Sequence, residues 1–170
     1  MSIYTSDSVT GPTNVVLLVS ARTEDHDSLR GIFHGSKWEL QTAWTTRAGR
    51  KVIQHDHREI PVVICQHSLP DGDWKLLLLT GLDRVAVRPS LIVSSPLADD
   101  RLWAEVLNLG AFDLLLGAPF EPEEVLRVTE SAWCAQNNAA RRRAVRGGGP
   151  VIAGNAGHTI AKALTVGSQI

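Results

Sequence analysis

The chain has 170 residues, room for one ordinary domain and an appendage, since single domains cluster near ~100–150 residues. It is 44% hydrophobic and 21% charged, a composition that buries a real core and excludes a disordered chain, and it holds no apolar run long enough for a membrane span. The net charge of −1 hides an asymmetry: residues 1–136 carry 12 Lys and Arg against all 18 Asp and Glu, net −6, whereas residues 137–170 carry five basic residues and no acid, net +5.

Residues 1–13 read as an N-terminal extension without the basic patch and apolar core of a secretory signal, so a cytoplasmic location is expected. From residue 14 to 136 the pattern alternates. Short apolar runs, VVLLV at 15–19, VVIC at 62–65, LIV at 91–93 and LLL at 114–116, predict strands, and WELQTA at 38–43 predicts another, with Trp38, Leu40 and Thr42 on one side. Between them lie helical spacings: Leu29, Ile32 and Phe33 first, a helix over roughly 46–55 next, then WKLLLL after Asp73. Leu102, Val106 and Leu109 follow, and Val125, Val128 and Ala132 come last. Asp73 suits a helix cap, Gly110 a helix stop and Pro122 a first helical turn. Near-continuous apolar strands joined by helices predict an α/β fold, a doubly wound five-stranded parallel sheet with (βα)5 flavodoxin-like architecture.

The composition shift near Asn137 predicts a domain boundary, with 14–136 as the domain and 137–170 as a flexible, basic, Gly-rich tail. The tail holds Arg141, Arg142, Arg143 and Arg146 and then Gly147, Gly148 and Gly149. Arginines without interleaved aromatics read as a solvated linker, so no nucleic-acid partner and no membrane partner are expected. The segment TIAKALTV within it suits one or two helical turns.

Three segments resemble the receiver domain of bacterial two-component response regulators, over about residues 14–136. LPDGDW at 69–74 resembles the family's L-P-x-x-D-G turn, GAFDLLLGAPF at 110–120 resembles G-A-x-D-Y-L-x-K-P-F, and SLIVSS at 90–95 resembles the fourth strand. The resemblance implies a CheY-like fold and a phosphorelay signalling role. In that family an aspartate after the third strand accepts a phosphoryl group, an acidic pair after the first strand holds Mg²⁺, and a hydroxyl and a lysine contact the phosphoryl oxygens. Here the acceptor position is Gln66, the acidic pair is replaced by Ser20 and Ala21 with Arg22 following, and the lysine position reads Gly117 and Ala118, one residue longer than the family spacing. Ser94 alone is kept, and Leu114 stands at the switch aromatic. An amide forms no acyl phosphate, and Mg²⁺ loses its carboxylates.

The leading expectation is therefore a pseudo-receiver, a non-enzymatic module acting through protein contacts, with a signalling protein or a second copy as partner and with no metal and no cofactor. The family's contact face implies Trp103, Leu107, Leu114 and Leu126. Two alternatives stand beside it: a phosphorelay receiver using Asp71 as acceptor, and a small-anion binder built on Ser20, Gln66, Ser94 and Arg22. His55 and His57, flanking Asp56, read as solvent-facing loop residues lacking a third metal ligand, and His67 as a loop residue without a catalytic partner. No G-x-G-x-x-G follows the first strand, which disfavours nucleotide enzymes. Cys65 and Cys134 match neither a disulfide framework nor a zinc spacing and suit a reducing compartment. Trp38, Trp74, Trp103 and Trp133 fall on separate elements, as core or interface residues.

Overall fold

A run of five apolar residues can be solvent-free on both faces only inside a layered fold, and Val15–Val19 are all buried. The computed structural model describes residues 14–56, 59–82, 85 and 87–147. The main-sheet strands are β1 (Asn14–Val19), β2 (Trp38–Ala43), β3 (Val62–Gln66), β6 (Ser90–Ser95) and β7 (Asp113–Leu116). They form one parallel sheet in the order β2-β1-β3-β6-β7. The helices are α1 (Thr23–Phe33), α2 (Thr46–His55), α3 (Trp74–Thr80), α4 (Asp100–Asn108) and α5 (Pro122–Gly147). The expected doubly wound α/β sheet of five parallel strands and five helices is what forms.

Two cores result. One lies under α2, α3 and α4 and includes Leu17, Val63, Trp74, Leu77 and Val106; the other lies under α1 and α5 and includes Val16, Ile64, Leu29, Phe33, Val125 and Val128. Alternate residues of one strand feed opposite cores because side chains alternate across a strand. Truncating a residue such as Leu17 or Ile64 to alanine costs about 2–5 kcal/mol, the lost transfer energy plus the cavity. Trp38 packs edge-on against Trp133, ring centroids 6.1 Å apart, which joins the edge strand β2 to α5.

Side chains open three of the helices, at Asp73 as the sequence suggests and also at Asp99 and Thr45. Asp73 accepts from Leu76 N–H (3.1 Å), Asp99 from Leu102 N–H (2.7 Å) and Thr45 from Ala48 N–H (3.1 Å). Pro122 begins α5, and Gly110, with φ +91°, follows the end of α4 in a conformation that disfavours a Cβ.

Some expectations are corrected. Thr42 is exposed rather than inward, because β2 is an edge strand that turns at Ala43, and Leu109 is exposed because it caps α4 beyond its buried face. His55 is the exposed last residue of α2 instead of a loop residue, and His57 lies outside the described residues. A short antiparallel hairpin, β4 (Ser68–Leu69) with β5 (Gly72–Asp73), follows β3 and was not expected. The fifth helix does not stop at Asn137. Residues 137–147 continue it, because Ala and Arg are strong helix formers and cations suit a helix C-terminus. The remainder of the expected tail, including TIAKALTV, and the extension 1–13 lie outside the described residues.

Candidate functional site

Open parallel sheets present their functional edge at the carboxyl ends of the strands, at the switch in strand order, here between β1 and β3. Ser20, directly after β1, is fully buried, and its N–H donates to Ala43 O (3.0 Å), tying the end of β1 to the end of β2. Its Oγ stands 2.7 Å from Asp25 Oδ2 and 3.0 Å from Gln66 Oε1 and accepts from Arg22 N–H (3.1 Å). One hydroxyl proton serves one of the two acceptors at a time. Ala21 N–H donates to Gln66 Oε1 (2.9 Å), so the amide oxygen at the end of β3 is claimed by the loop after β1.

Sequence reasoning missed the two residues beneath this network. Asp25 is 2% exposed and His26 1%, although TEDHD at the start of α1 reads as a polar helix face. A signal was present: Asp25 and His26 share a helical stripe with Leu29 and Phe33, at spacings of three, four, seven and eight residues. His26 Nε2 lies 2.7 Å from Ser20 O, and since a carbonyl only accepts, Nε2 carries the proton. The ring stacks on Trp44, centroids 3.8 Å apart, and the half-exposed indole roofs the histidine. Asp25 Oδ1 and His26 Nδ1 are sealed from solvent with no partner among the described residues.

The remaining sequence-predicted residues sit at the same end with less connection. Ser94 is buried with its Oγ unpartnered among the described residues, while its carbonyl accepts from His67 N–H (2.8 Å). His67 Nδ1 lies 3.0 Å from Ser68 Oγ, so its ring engages the hairpin. Gly117 N–H donates to Ser95 O (2.8 Å), and a Cβ at Gly117 would come within 3.1 Å of Pro96 N and 3.2 Å of Ser95 C. Backbone hems this position, so a side chain there requires the β6 turn to move. Arg22 turns to Glu24 (3.8 Å).

Asp71 has a different occupation. The β4–β5 hairpin carries its carboxylate to the start of α2, where it accepts from Thr46 N–H (2.8 Å) and Arg47 N–H (2.9 Å). Partial loss of solvation pushes its carboxyl up, but those backbone amides outweigh it and hold it below the ordinary 3.8. Cys65, buried behind Gln66, is no nucleophile: loss of solvation, with Asp73 and Asp71 adding to it, pushes its thiol far above the range where a thiolate forms.

A divalent cation does not fit this site. Mg²⁺ takes hard oxygens, mostly carboxylates and waters. Asp25 supplies one carboxylate, already bound by Ser20, and the Gln66 oxygen is bound to Ser20 and the Ala21 amide. No group of three or more His, Cys, Asp and Glu suited to a metal occurs among the described residues.

At the β7 edge of the sheet, the expected contact residues divide. Trp103 is 49% exposed and its Nε1–H donates to Asp113 Oδ1 (3.3 Å). Leu107 is half-buried, and Leu114 and Leu126 are half-buried against the two opposite cores. Leu116 adds exposed apolar surface on β7, and Leu97, in the turn after β6, is 82% exposed. A shallow groove of about 470 Å³ runs between Trp103, Leu114 and Leu116, rimmed by Asp99, Asp100 and Glu124. Among the described residues no helix is long and apolar enough to cross a membrane.

No protein-family model and no curated protein matches the chain. Solved structures do. The signal receiver domain of an HD domain-containing protein from Pseudomonas fluorescens Pf-5 superposes with a TM-score of 0.67 at 20% identity, over 81% of this chain and 99% of that one. A CheY-like response regulator receiver domain from Methanospirillum hungatei JF-1 gives 0.61 at 23%, over 74% and 98%. The CheX–CheY–BeF3–Mg²⁺ complex from Borrelia burgdorferi gives 0.61 at 20%, over 71% and 89%. With the sheet order and the helix layers already described, these likenesses identify the fold as that of the response regulator receiver domains.

Proposed function

We propose that the chain is a signalling module of two-component type that acts through protein contacts and does not take up phosphate. The observation that carries this reading is the state of Gln66: the residue at the end of β3 is an amide, and its oxygen is held by Ser20 and the Ala21 N–H. A phosphoryl group needs a nucleophilic carboxylate, a metal and a positive partner, each worth ~10²-fold or more in rate. Of these, the described site offers only the carboxyl of Asp25, in the first turn of α1 and bound to Ser20. The Asp71 alternative is less supported because that carboxylate is bound to the amides of α2, and the anion alternative because Arg22 is paired with Glu24.

The contact surface in this reading is the β7 edge, where Trp103 and Leu116 provide exposed apolar area and three carboxylates form the rim. Aromatic anchors within a charged rim are the usual anatomy of a protein interface. A partner segment with apolar side chains flanked by Lys or Arg fits it. The Borrelia CheY in the complex named above is itself bound to another protein, CheX.

The test is intact-mass measurement after incubation with a small acyl phosphate, with and without Mg²⁺. The wild type should gain no phosphate, Gln66→Asp little, and a variant that also carries Ser20→Asp, Ala21→Asp and Ala118→Lys measurably more. Labelling of the wild type overturns the reading.

A further inference from the structure

We infer that the partner at the β7 edge is a second copy of this chain, with the two prolonged α5 helices antiparallel and the arginine-bearing end of each against the acid-rimmed groove of the other. The inference rests on the reading of that edge as the contact surface and goes beyond it by naming the occupant. The occupant's chemistry is on α5 itself. Val145 stands three residues from Arg142, four from Arg141 and next to Arg146, so one apolar side chain lies among three arginines on one side of the helix. All four are exposed, and none of the arginines has an ion-pair partner among the described residues. The groove is their complement. Trp103 and Leu116 suit the valine and the arginine stems, and Asp99, Asp100 and Glu124 suit the guanidinium groups. Asp99 already caps α4, but Asp100 and Glu124 have no ion-pair partner among the described residues. The Trp103 ring is held by its bond to Asp113, which gives a guanidinium a fixed face to stack on.

One copy cannot make this contact alone, because Glu124 and Arg142 belong to the same helix, eighteen residues apart, which is five turns and about 27 Å along the axis. Five whole turns also bring both to the same side of α5, the side toward β7, as the place of Glu124 in the groove shows. A helix face that is acidic at its start and basic at its end is complementary to its own reverse. A two-fold axis across the middle of α5 sets Glu124 of each copy on Arg142 of the other, carries Val145 and Arg146 past the start of the second α5 toward Leu116, and closes both contacts at once. The middle of that face holds Ser131, Cys134 and Ala135, which are small and exposed and let two helices approach closely. Arg127, also on the face, then falls beside Asn138 and not beside another arginine. The net −6 of residues 1–136 and the net +5 of residues 137–170 carry the same complementarity at the level of the chain.

The experiment is sedimentation equilibrium of the full chain, with circular dichroism as the check that each variant is folded. A dimer is expected, and it should dissociate more readily at high salt, which screens exposed charges. Arg142→Glu with Arg146→Glu, and Glu124→Arg alone, should each weaken it by about ten-fold or more. Joining Glu124→Arg to Arg142→Glu should recover most of that affinity, which a merely structural loss would not. A short bismaleimide should link two copies through Cys134, since Cys65 is fully buried, and Cys134→Ser should abolish the link. A chain that stays monomeric, or a dimer that no folded charge variant weakens, overturns the inference. A dimer without the Cys134 link overturns the antiparallel arrangement. The signalling reading fails separately: phosphate uptake by the wild type overturns that reading and leaves a measured dimer standing, whereas a monomer that takes up no phosphate overturns only the dimer.

Discussion

The two ends of the parallel sheet handle buried polar groups in opposite ways. At the carboxyl end, Ser20, Asp25, Gln66 and the Ala21 amide bind one another, and the atoms left over, Asp25 Oδ1, His26 Nδ1 and Ser94 Oγ, are sealed from solvent. At the amino end, Gln136 is nearly as buried and has no partner among the described residues, but it borders an open cavity. A polar network that is closed on itself holds the fold in one arrangement, whereas an unbound amide beside a cavity is available to something else. Open parallel sheets present their functional edge at the first of these ends. In this chain that end is the more closed of the two.

The largest expected effect comes from breaking the closed network. Ser20→Ala removes the hydroxyl that Asp25 and the Arg22 N–H use and leaves a buried carboxylate oxygen unpartnered, so urea unfolding should show a loss of about 3 kcal/mol. A loss below about 0.5 kcal/mol, within the range of an ordinary surface change, would show that the network does not hold this end together. Next, Gly117→Ala places a Cβ against the backbone of Ser95 and Pro96 and should cost about 1–3 kcal/mol; a neutral result would mean that the β6 turn yields, and that a lysine fits there after all.

A smaller effect is expected at Asp71. Asp71→Asn should cost about 1 kcal/mol at neutral pH, because the carboxylate accepts from the first amides of α2. Its carboxyl lies below the ordinary 3.8 in the folded chain, so this stability is complete above that value and is lost as pH falls through the lower folded one. The gap between wild type and variant in denaturant melts should therefore close only below pH 3.8, and a gap that persists in strong acid would point to packing instead. The smallest effect is Gln136→Leu. Its amide is not among the polar atoms sealed from solvent, so an apolar side chain of similar size should leave stability within about 0.5 kcal/mol in the same assay. A substantial loss would mean that the amide is bound within the protein and that the two ends are alike.

Much of this was legible in the chain. The strand positions followed from apolar runs that only a two-sided burial explains, and the caps at Asp73, Pro122 and Gly110 from local backbone chemistry that needs no tertiary context. That an amide, Gln66, closes the third strand of the sheet is visible in the sequence, but the binding of its oxygen by Ser20 and Ala21 is not, since those residues lie more than forty positions away. The β4–β5 hairpin was missed because two-residue strands leave no periodicity, and with it the role of Asp71. The end of the domain at Asn137 was read from composition, which registers charge and glycine but not that alanine and arginine sustain a helix already begun.

What the sequence by itself determined is the alternation of buried strands and one-faced helices, because periodicity and caps act within a few residues of one another. Only the tertiary structure decided that Asp25 is buried against Ser20 and His26 lies beneath Trp44 instead of in water, and that Gln136 borders a cavity. Burial of a polar side chain is a property of what is packed above it. For Asp25 and His26 that cover comes from the ends of strands and from a loop distant in sequence, and for Gln136 from the turns entering β6 and β7, which no local pattern in α5 encodes.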